Sequence, residues 1–131
     1  MRGETQAVQD AAPRRVEKPW GHEVIWAETD RYVGKIIAIK PGHRLSLQYH
    51  ERKDESLIVT RGTLRLHLEN ESGVLEIHDL EPGQRSRIPV GRRHRFEAVE
   101  TSVELFEVST PEIDDVVRLE DDYAREGTSE A

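Results

Sequence analysis

Short runs in which apolar and polar residues alternate dominate the middle of the chain. Residues 64–69, for example, alternate three leucines with an arginine, a histidine and a glutamate, the pattern of a strand with one buried face and one face in water. Similar runs, many rich in β-branched residues, predict strands at residues 23–27, 32–40, 45–50, 56–60, 63–69, 74–79, 85–88, 94–99 and 103–109. The gaps after residues 40, 60, 69, 79 and 88 carry Gly or Pro, where strand geometry breaks. Regularly spaced short strands predict an all-β sandwich or barrel.

Both ends of the chain depart from this pattern. Residues 1–14 are small, polar and aperiodic, and residues 126–131 are similar, so we expect two disordered ends around a single domain at 15–125. The acidic stretch 111–125 fits either a short C-terminal helix or an extended arm over the barrel. Its apolar positions are Ile113, Val116, Val117 and Leu119.

Composition narrows the possible functions. The 131 residues include no cysteine, which excludes disulfides, thiolate metal sites and cysteine nucleophiles. A formal net charge of -7 lacks the basic surface that a nucleic-acid partner requires. No apolar run approaches the roughly 18–20 residues of a membrane helix, and the N-terminus lacks the apolar core of a signal peptide. We therefore expect a cytoplasmic protein with no nucleic-acid or membrane partner.

Two blocks of residues carry the candidate chemistry. In the first, Gln48 and His50 are two residues apart and so share one face of a strand, and Glu55 follows across a tight turn. In the second, a Pro-Val-Gly turn at 89–91 precedes His94. The blocks resemble the paired motifs of the cupin superfamily, which lie on neighbouring strands of a double-stranded β-helix. The resemblance implies this all-β jelly-roll barrel.

The cupin resemblance also implies a metal site. Gln48 stands where the first motif usually has a histidine, and Ala98 stands where the second often has an asparagine. Two imidazoles, a carboxylate and an amide oxygen suit one divalent ion and leave positions open for water or substrate. These donors favour zinc and are compatible with manganese, iron, cobalt or nickel. The alternatives are structural roles for the histidines and glutamate, and a hydrogen-bonding role for the glutamine. The implied metal ligands are Gln48, His50, Glu55 and His94.

Four segments narrow the resemblance to the cupin domain of type II mannose-6-phosphate isomerases. They are Lys-Pro-Trp-Gly at 18–21, Tyr-Val-Gly-Lys at 32–35, Leu-Ser-Leu-Gln-Tyr-His at 45–50 and the segment 114–123. The similarity covers roughly residues 15–125. The same domain closes bifunctional mannose-1-phosphate guanylyltransferase/isomerase proteins. Because this sequence has no Gly-rich nucleotide loop, we expect a stand-alone domain.

The narrower resemblance implies a metal-dependent isomerase that converts mannose 6-phosphate to fructose 6-phosphate through an enediol. Such a reaction needs a group that moves a proton between C2 and C1, and a cation that holds the phosphate. Cupins host many chemistries, so two alternatives stay open. One is a dioxygenase or epimerase on another small substrate, and the other is a non-catalytic module that binds metal and sugar. The resemblance also implies a homodimer, in which a partner covers exposed strand edges.

Side-chain alternation suggests residues for these roles. Lys35 shares its strand face with two isoleucines, and Glu107 shares its face with a valine and a leucine, so each is a candidate acid or base inside the barrel. Lys35 could instead extend to water, and Glu107 could pair with an arginine. Five arginines within 85–95 fit either a small-anion site or solvated loop charge. The candidate phosphate ligands are Arg44, Arg87 and Arg118.

Overall fold

The computed structural model describes residues 11–128, which form thirteen β-strands and no helix. The strands expected from alternation correspond to nine of these, so the all-β prediction is confirmed. The bounds are β1 Arg14–Lys18, β2 Gly21–Glu28, β3 Val33–Ile39, β4 His43–Arg44, β5 Leu47–Tyr49, β6 Glu55–Arg61, β7 Leu64–Glu69, β8 Leu75–Leu80, β9 Arg85–Ile88, β10 His94–Ala98, β11 Val103–Ser109, β12 Val117–Glu120 and β13 Gly127–Thr128.

The strands form two antiparallel sheets. The first has the order β1-β2-β3-β11-β6-β9, and the second has the order β13-β12-β5-β10-β7-β8, with β4 also paired to β10. Strands that are distant in sequence become neighbours, as where β3 lies beside β11 and β5 lies beside β10. This arrangement confirms the predicted jelly-roll fold, and it brings the two sequence motifs together on adjacent strands.

One apolar core draws side chains from both sheets. In β7, Leu64 and Leu66 are buried, whereas Arg65 and His67, which follow them in turn, are half-buried, as the alternation predicts. Leu105 of β11 joins the same core from the other sheet. The two sheets are therefore held together by the inward residues of a period-two pattern.

The turn between β6 and β7 depends on a glycine. Gly62 has a φ of +77°, in the left-handed region, and the carbonyl oxygen of Ser102 lies 2.1 Å from the place where a Cβ would stand. Any larger residue would be strained by its backbone conformation and would also clash with this oxygen. The glycine lets this turn pack closely against the segment that leads into β11.

The late segment forms an extended arm, so the helix alternative is wrong. Residues 111–116 adopt bends and turns, and β12 then pairs with β5 and places Arg118 opposite Gln48. Val116 and Arg118 are buried, whereas Leu119 is 42% exposed. Burial of every second residue is the pattern of a strand, whereas a helix would bury residues three or four positions apart. The described residues contain no helix long and apolar enough to cross a membrane.

Three further details differ from the expected strands. The strand expected at 45–50 is shorter than predicted, because β5 covers only Leu47–Tyr49 and Leu45 and Ser46 separate it from β4. The strand β1 begins at Arg14, inside the segment expected to be disordered, and β13 lies at Gly127–Thr128 in the other such segment. The outer parts of both segments, residues 1–10 and 129–131, lie outside the described residues.

Candidate metal centre

The structure brings three of the predicted metal ligands together. His50 follows β5, Glu55 begins β6 and His94 begins β10, and one nitrogen or oxygen atom from each lies within 4.8 Å of the other two. Nε2 of His50 is 2.6 Å from Oε1 of Glu55, and Nε2 of His94 is 3.7 Å from the same oxygen. All three residues are buried. They form the only such group of three or more metal-binding side chains within the part of the chain that the structure describes.

Backbone carbonyls fix the orientation of both imidazoles. Nδ1 of His50 lies 2.5 Å from the carbonyl oxygen of Asp115, and Nδ1 of His94 lies 2.9 Å from that of Arg92. Because a carbonyl can only accept a hydrogen bond, each Nδ1 carries the proton and donates it. Each Nε2 of a neutral ring therefore presents a lone pair to the centre of the cluster.

Burial keeps these rings neutral. It lowers the pKa of His50 to about 4, with a further contribution from the positive charge of Lys53. It lowers the pKa of His94 to about 3, with a further contribution from His50. Near pH 7 both rings are thus in the form that binds a metal.

The three side chains fit a divalent cation. Oε1 of Glu55 is buried and accepts no hydrogen bond from any described residue, although Nε2 of His50 is close to it. Three atoms with lone pairs face one another, and no proton lies between them. Such an arrangement is unfavourable without a positive charge, and two imidazoles with one carboxylate are ordinary ligands of zinc and its neighbours.

Gln48 lies beside this cluster. It is the direct partner of His94 in the pairing of β5 with β10, and cross-strand partners point to the same face of a sheet. Its side chain is half-buried and lines the same pocket as the three ligands. Its role as a fourth ligand stays a prediction.

The three ligands lie in a pocket whose cavity has a volume of about 50 Å³, enough for a few water molecules. Most of the lining residues are buried. The half-exposed ones, Lys18, Gln48 and Arg125, mark the side that opens to solvent. The three candidate metal ligands are therefore at the buried end and Lys18 and Arg125 are at the mouth, whereas Gln48 adjoins His94 and reaches the half-exposed part of the pocket.

Both predicted acid–base residues line the pocket. Lys35 and Glu107 are buried and stand opposite each other on β3 and β11. Nζ of Lys35 lies 3.1 Å from Oε1 of Glu23, so its amine does not extend to water. Burial raises the pKa of Glu107 to about 8, helped by the charge of Glu55 and by a hydrogen bond to it. Protonated Glu107 donates that bond, which ties it to the metal-ligand cluster.

Only one of the three predicted phosphate ligands lines the pocket. Arg118 is buried and lines the pocket. Arg44 instead makes two hydrogen bonds, of 2.8 and 3.0 Å, to Asp122. Arg87 makes two, of 3.0 and 2.9 Å, to Asp54. Neither Arg44 nor Arg87 lines the pocket. Arg44 lies in β4, which Leu45 and Ser46 separate from β5, so it does not share the inward face of Gln48.

Lys53 is a pocket residue that sequence reasoning missed. It is buried and lines the pocket, whereas the neighbouring Arg52 is exposed. Burial lowers its pKa, but the negative charges of Glu55 and Glu107 outweigh this effect and the net shift is upward. Nothing in the polar run between His50 and Glu55 distinguishes the one inward cation from its neighbours, so only the fold reveals it.

Asp115 holds the turn that joins two of the metal ligands. Its carboxylate accepts the backbone N–H groups of Glu51, Arg52 and Lys53 at 3.0, 2.7 and 2.8 Å. Its own carbonyl accepts from His50. One residue of the C-terminal arm thus fixes both the ring of His50 and the path of the chain towards Glu55.

We expect His50→Ala and His94→Ala each to abolish binding of a divalent ion while leaving the fold intact, because each removes one of three convergent ligands. Metal content of the purified variants and their circular dichroism spectra measure both effects. His78→Ala, at an exposed histidine outside the pocket, is the matched control. Unchanged metal content in both site variants would refute the assignment.

We expect Asp115→Ala to weaken metal binding about 10–100-fold, as the loss of groups that orient metal ligands commonly does. Asp115→Asn, which keeps one carbonyl oxygen, should have a smaller effect. The measurements are competition with a chelator and the visible absorption of the cobalt-loaded protein, which reports ligand geometry. Asp79→Ala, on an exposed aspartate paired with Arg65, is the control. A normal cobalt spectrum and affinity in Asp115→Ala would show that Asp115 does not position the ligands.

Solved structures share this architecture. KdgF from Halomonas sp. aligns with a TM-score of 0.67 and 23% identity, covering 81% of this chain and 91% of that one. CapF, a capsular polysaccharide assembling protein from Staphylococcus aureus, aligns with a TM-score of 0.73 and 20% identity over 82% of this chain and 34% of that one. At these identities the likeness shows the fold.

Sequence relatives identify the family. The mannose-1-phosphate guanylyltransferase ManC of Salmonella typhimurium is 36% identical over 116 residues, which make up 86% of this chain and 23% of that protein. The chain thus spans about a quarter of the length of the curated relatives it matches. Residues 5–121 match the family described as mannose-6-phosphate isomerase C-terminal. The chain therefore belongs to this family of mannose-6-phosphate isomerase C-terminal domains, within the cupins.

Proposed function

We propose that this protein is a metal-dependent isomerase of a phosphorylated sugar, which interconverts mannose 6-phosphate and fructose 6-phosphate. One observation carries the proposal: a buried His-His-Glu cluster shares a single pocket with two buried acid–base candidates, Lys35 and Glu107. The family to which the chain belongs makes this sugar chemistry the natural choice.

The charge of the pocket supports an anionic substrate. Five lysine and arginine side chains line it against three glutamates, although the whole chain has a net charge of -7. The histidines are neutral, so they do not change this balance. A positive pocket attracts small anions, whereas the net negative charge of the whole protein repels large acidic partners. A sugar phosphate meets this requirement.

The reaction moves a proton from C2 of the aldose to C1 and a second proton between the two oxygens. A divalent ion held by His50, Glu55 and His94 would supply a positive charge that favours the sugar oxygens in their negatively charged form. Glu107 is the candidate to take the proton from C2 and return it to C1, because it is buried beside Glu55 and a pKa of about 8 makes its carboxylate form accessible near neutral pH. Lys35, held by Glu23, would keep a positive charge close to the reacting oxygens.

The gradient of burial along the pocket suggests how the substrate is oriented. We place the C1–C2 end of the sugar beside the candidate metal ligands, which are buried together with Lys35 and Glu107. The remaining carbons and the phosphate would then extend toward the half-exposed residues at the mouth. This placement brings the reacting carbons to the buried acid–base groups and excludes bulk water from them.

We expect metal-stripped protein to convert mannose 6-phosphate to fructose 6-phosphate only after a divalent ion is added. Zinc, manganese, cobalt, nickel and iron(II) are to be supplied separately and fructose 6-phosphate measured enzymatically. Glu55→Ala should lower kcat/KM at least about a hundredfold, whereas Glu76→Ala, an exposed glutamate of β8, should not. No conversion with any ion, despite one ion bound per chain, would reject this function in favour of a binding role or another substrate.

We expect Glu107→Gln to lower kcat about 10²–10⁴-fold with little change in KM, because the amide keeps the shape of the side chain but cannot carry the proton. The matched control is Glu104→Gln, on the same strand but half-buried on its other face. Retained metal content in Glu107→Gln would separate loss of proton transfer from loss of the ion. A variant with normal kcat would leave Lys35 as the acid–base group.

A further inference from the structure

We propose that Lys18, Arg118 and Arg125 form an anion subsite at the mouth of the pocket, which binds the phosphate of the substrate. The identity of the ligand rests on the proposed function, but the subsite itself rests on the placement of these side chains. The predicted Arg118 belongs to it, and two residues outside the earlier set of candidates, Lys18 and Arg125, complete it.

The three cations come from separate parts of the chain and converge on one pocket. Lys18 ends β1, Arg118 lies in β12, and Arg125 follows β12 in the C-terminal arm. All three line the pocket that contains the metal ligands. Lys18 and Arg125 are half-exposed and Arg118 is buried, so the three cations extend from the solvent-facing side of the pocket into its interior.

The sheet sets the distance from this subsite to the metal centre. Arg118 is the partner of Gln48 on β5, and Gln48 is the partner of His94 on β10. These three residues form one row across adjacent strands and point to the same face. Two strand spacings, about 9–10 Å, separate the backbone of Arg118 from that of His94. A ligand that contacts both ends must be extended, with its anionic group at one end and its metal-directed oxygens at the other.

The two lysines at the buried end of the pocket lie among the buried glutamates. Lys35 lies 3.1 Å from Glu23, and Lys53 is attracted chiefly by Glu55 and Glu107. These two lysines therefore balance the charge of the buried glutamates. The three cations at the mouth, of which Arg125 is paired with Asp121, add further positive charge to the pocket.

The cations at the mouth repel one another. Burial is the main cause of the lowered pKa of Lys18. The negative charge of Glu23 raises this pKa, whereas the positive charges of Lys35, Arg118 and Arg125 lower it. Burial and the charge of Arg125 lower the pKa of Arg118, against the attraction of Asp121 and Glu23. A phosphate with up to two negative charges would relieve this repulsion, as a bound anion does in other clusters of basic residues.

Arg125 is held ready for such a ligand. Its Nε donates to Asp121 at 2.8 Å, and its guanidinium lies 5.8 Å from the centre of the Tyr123 ring. The side chain of Asp121 is fully buried, so it fixes the arginine without itself facing the pocket. An oriented guanidinium loses little conformational entropy when it binds a phosphate.

The test is the affinity of the metal-loaded protein for inorganic phosphate, mannose 6-phosphate and mannose, measured by isothermal titration calorimetry. We expect Arg118→Gln to weaken binding of mannose 6-phosphate at least about tenfold, since it removes hydrogen bonds between charged groups. Lys18→Gln and Arg125→Gln should weaken it by smaller factors. None of the three should change metal content or the response to mannose. Arg65→Gln, on a half-buried arginine outside this pocket, is the matched control.

Three further variants keep the test decisive. Arg118→Lys retains the charge and should recover part of the affinity, and it replaces Arg118→Gln if that variant fails to fold. Arg44→Gln and Arg87→Gln remove the arginines that bind Asp122 and Asp54 and should leave phosphate affinity unchanged. Loss of affinity in these variants, or no loss in the subsite variants, would overturn the subsite. Failure of the unaltered protein to bind phosphate and mannose 6-phosphate would also overturn it.

The outcomes separate the subsite from the proposed isomerase. If mannose 6-phosphate binds through Lys18, Arg118 and Arg125 but is never converted with any ion, the subsite stands and the isomerase function falls. If conversion occurs with the same KM in all three variants, the function stands and the subsite falls. If KM rises in the variants while the metal content is unchanged, both stand.

Discussion

The structure depends on three buried atoms that can only accept hydrogen bonds and that point at one another. They are Nε2 of His50, Nε2 of His94 and Oε1 of Glu55. A single buried acceptor without a donor costs about 1–3 kcal/mol, and facing lone pairs also repel. The surrounding chain nevertheless enforces the arrangement, since two backbone carbonyls hold the imidazoles and β6 holds the glutamate. A cation among the three atoms would relieve this repulsion, and the buried lysines and glutamates of the pocket lie around that point.

Charge around this point is arranged in two layers. Close to the metal ligands, Lys35 and Lys53 face Glu23, Glu55 and Glu107, so buried charges of both signs nearly cancel. Buried pairs of this kind contribute little to stability, because desolvation offsets their attraction. Their presence in the interior of a small domain is better explained by chemistry than by folding. Farther out, positive charge is in excess, and this gradient from a balanced interior to a cationic mouth suits a ligand with one neutral end and one anionic end.

Much of the fold and part of the site could be predicted from the sequence. The alternation of Leu64 and Leu66 with polar neighbours is a local signal, and so is the spacing of Gln48, His50 and Glu55, because both depend only on the geometry of one strand or turn. Other features depend on contacts that no local pattern records. The pairing of β12 with β5 overrides the apparent helical spacing at 111–125, and it alone decides that Arg118 faces the pocket. Similarly, Lys53 and Arg52 are alike in sequence and differ only because the carboxylate of Asp115 fixes the path of the turn.

The C-terminal arm joins the two halves of the candidate site. Its first part contributes Asp115, which holds the metal-ligand turn, and Val116, which lines the pocket. Its later part contributes Arg118 and Arg125 to the mouth. The arm is anchored in the sheet because β12 pairs with β5, the strand that carries Gln48, and on its other side with the short β13. A displacement of β12 would therefore disturb the orientation of His50 and the position of the cationic side chains together. Because one segment controls both ends of the pocket, binding of an anion at the mouth and binding of a metal ion at the buried end should favour the same position of the arm, and each should strengthen the other.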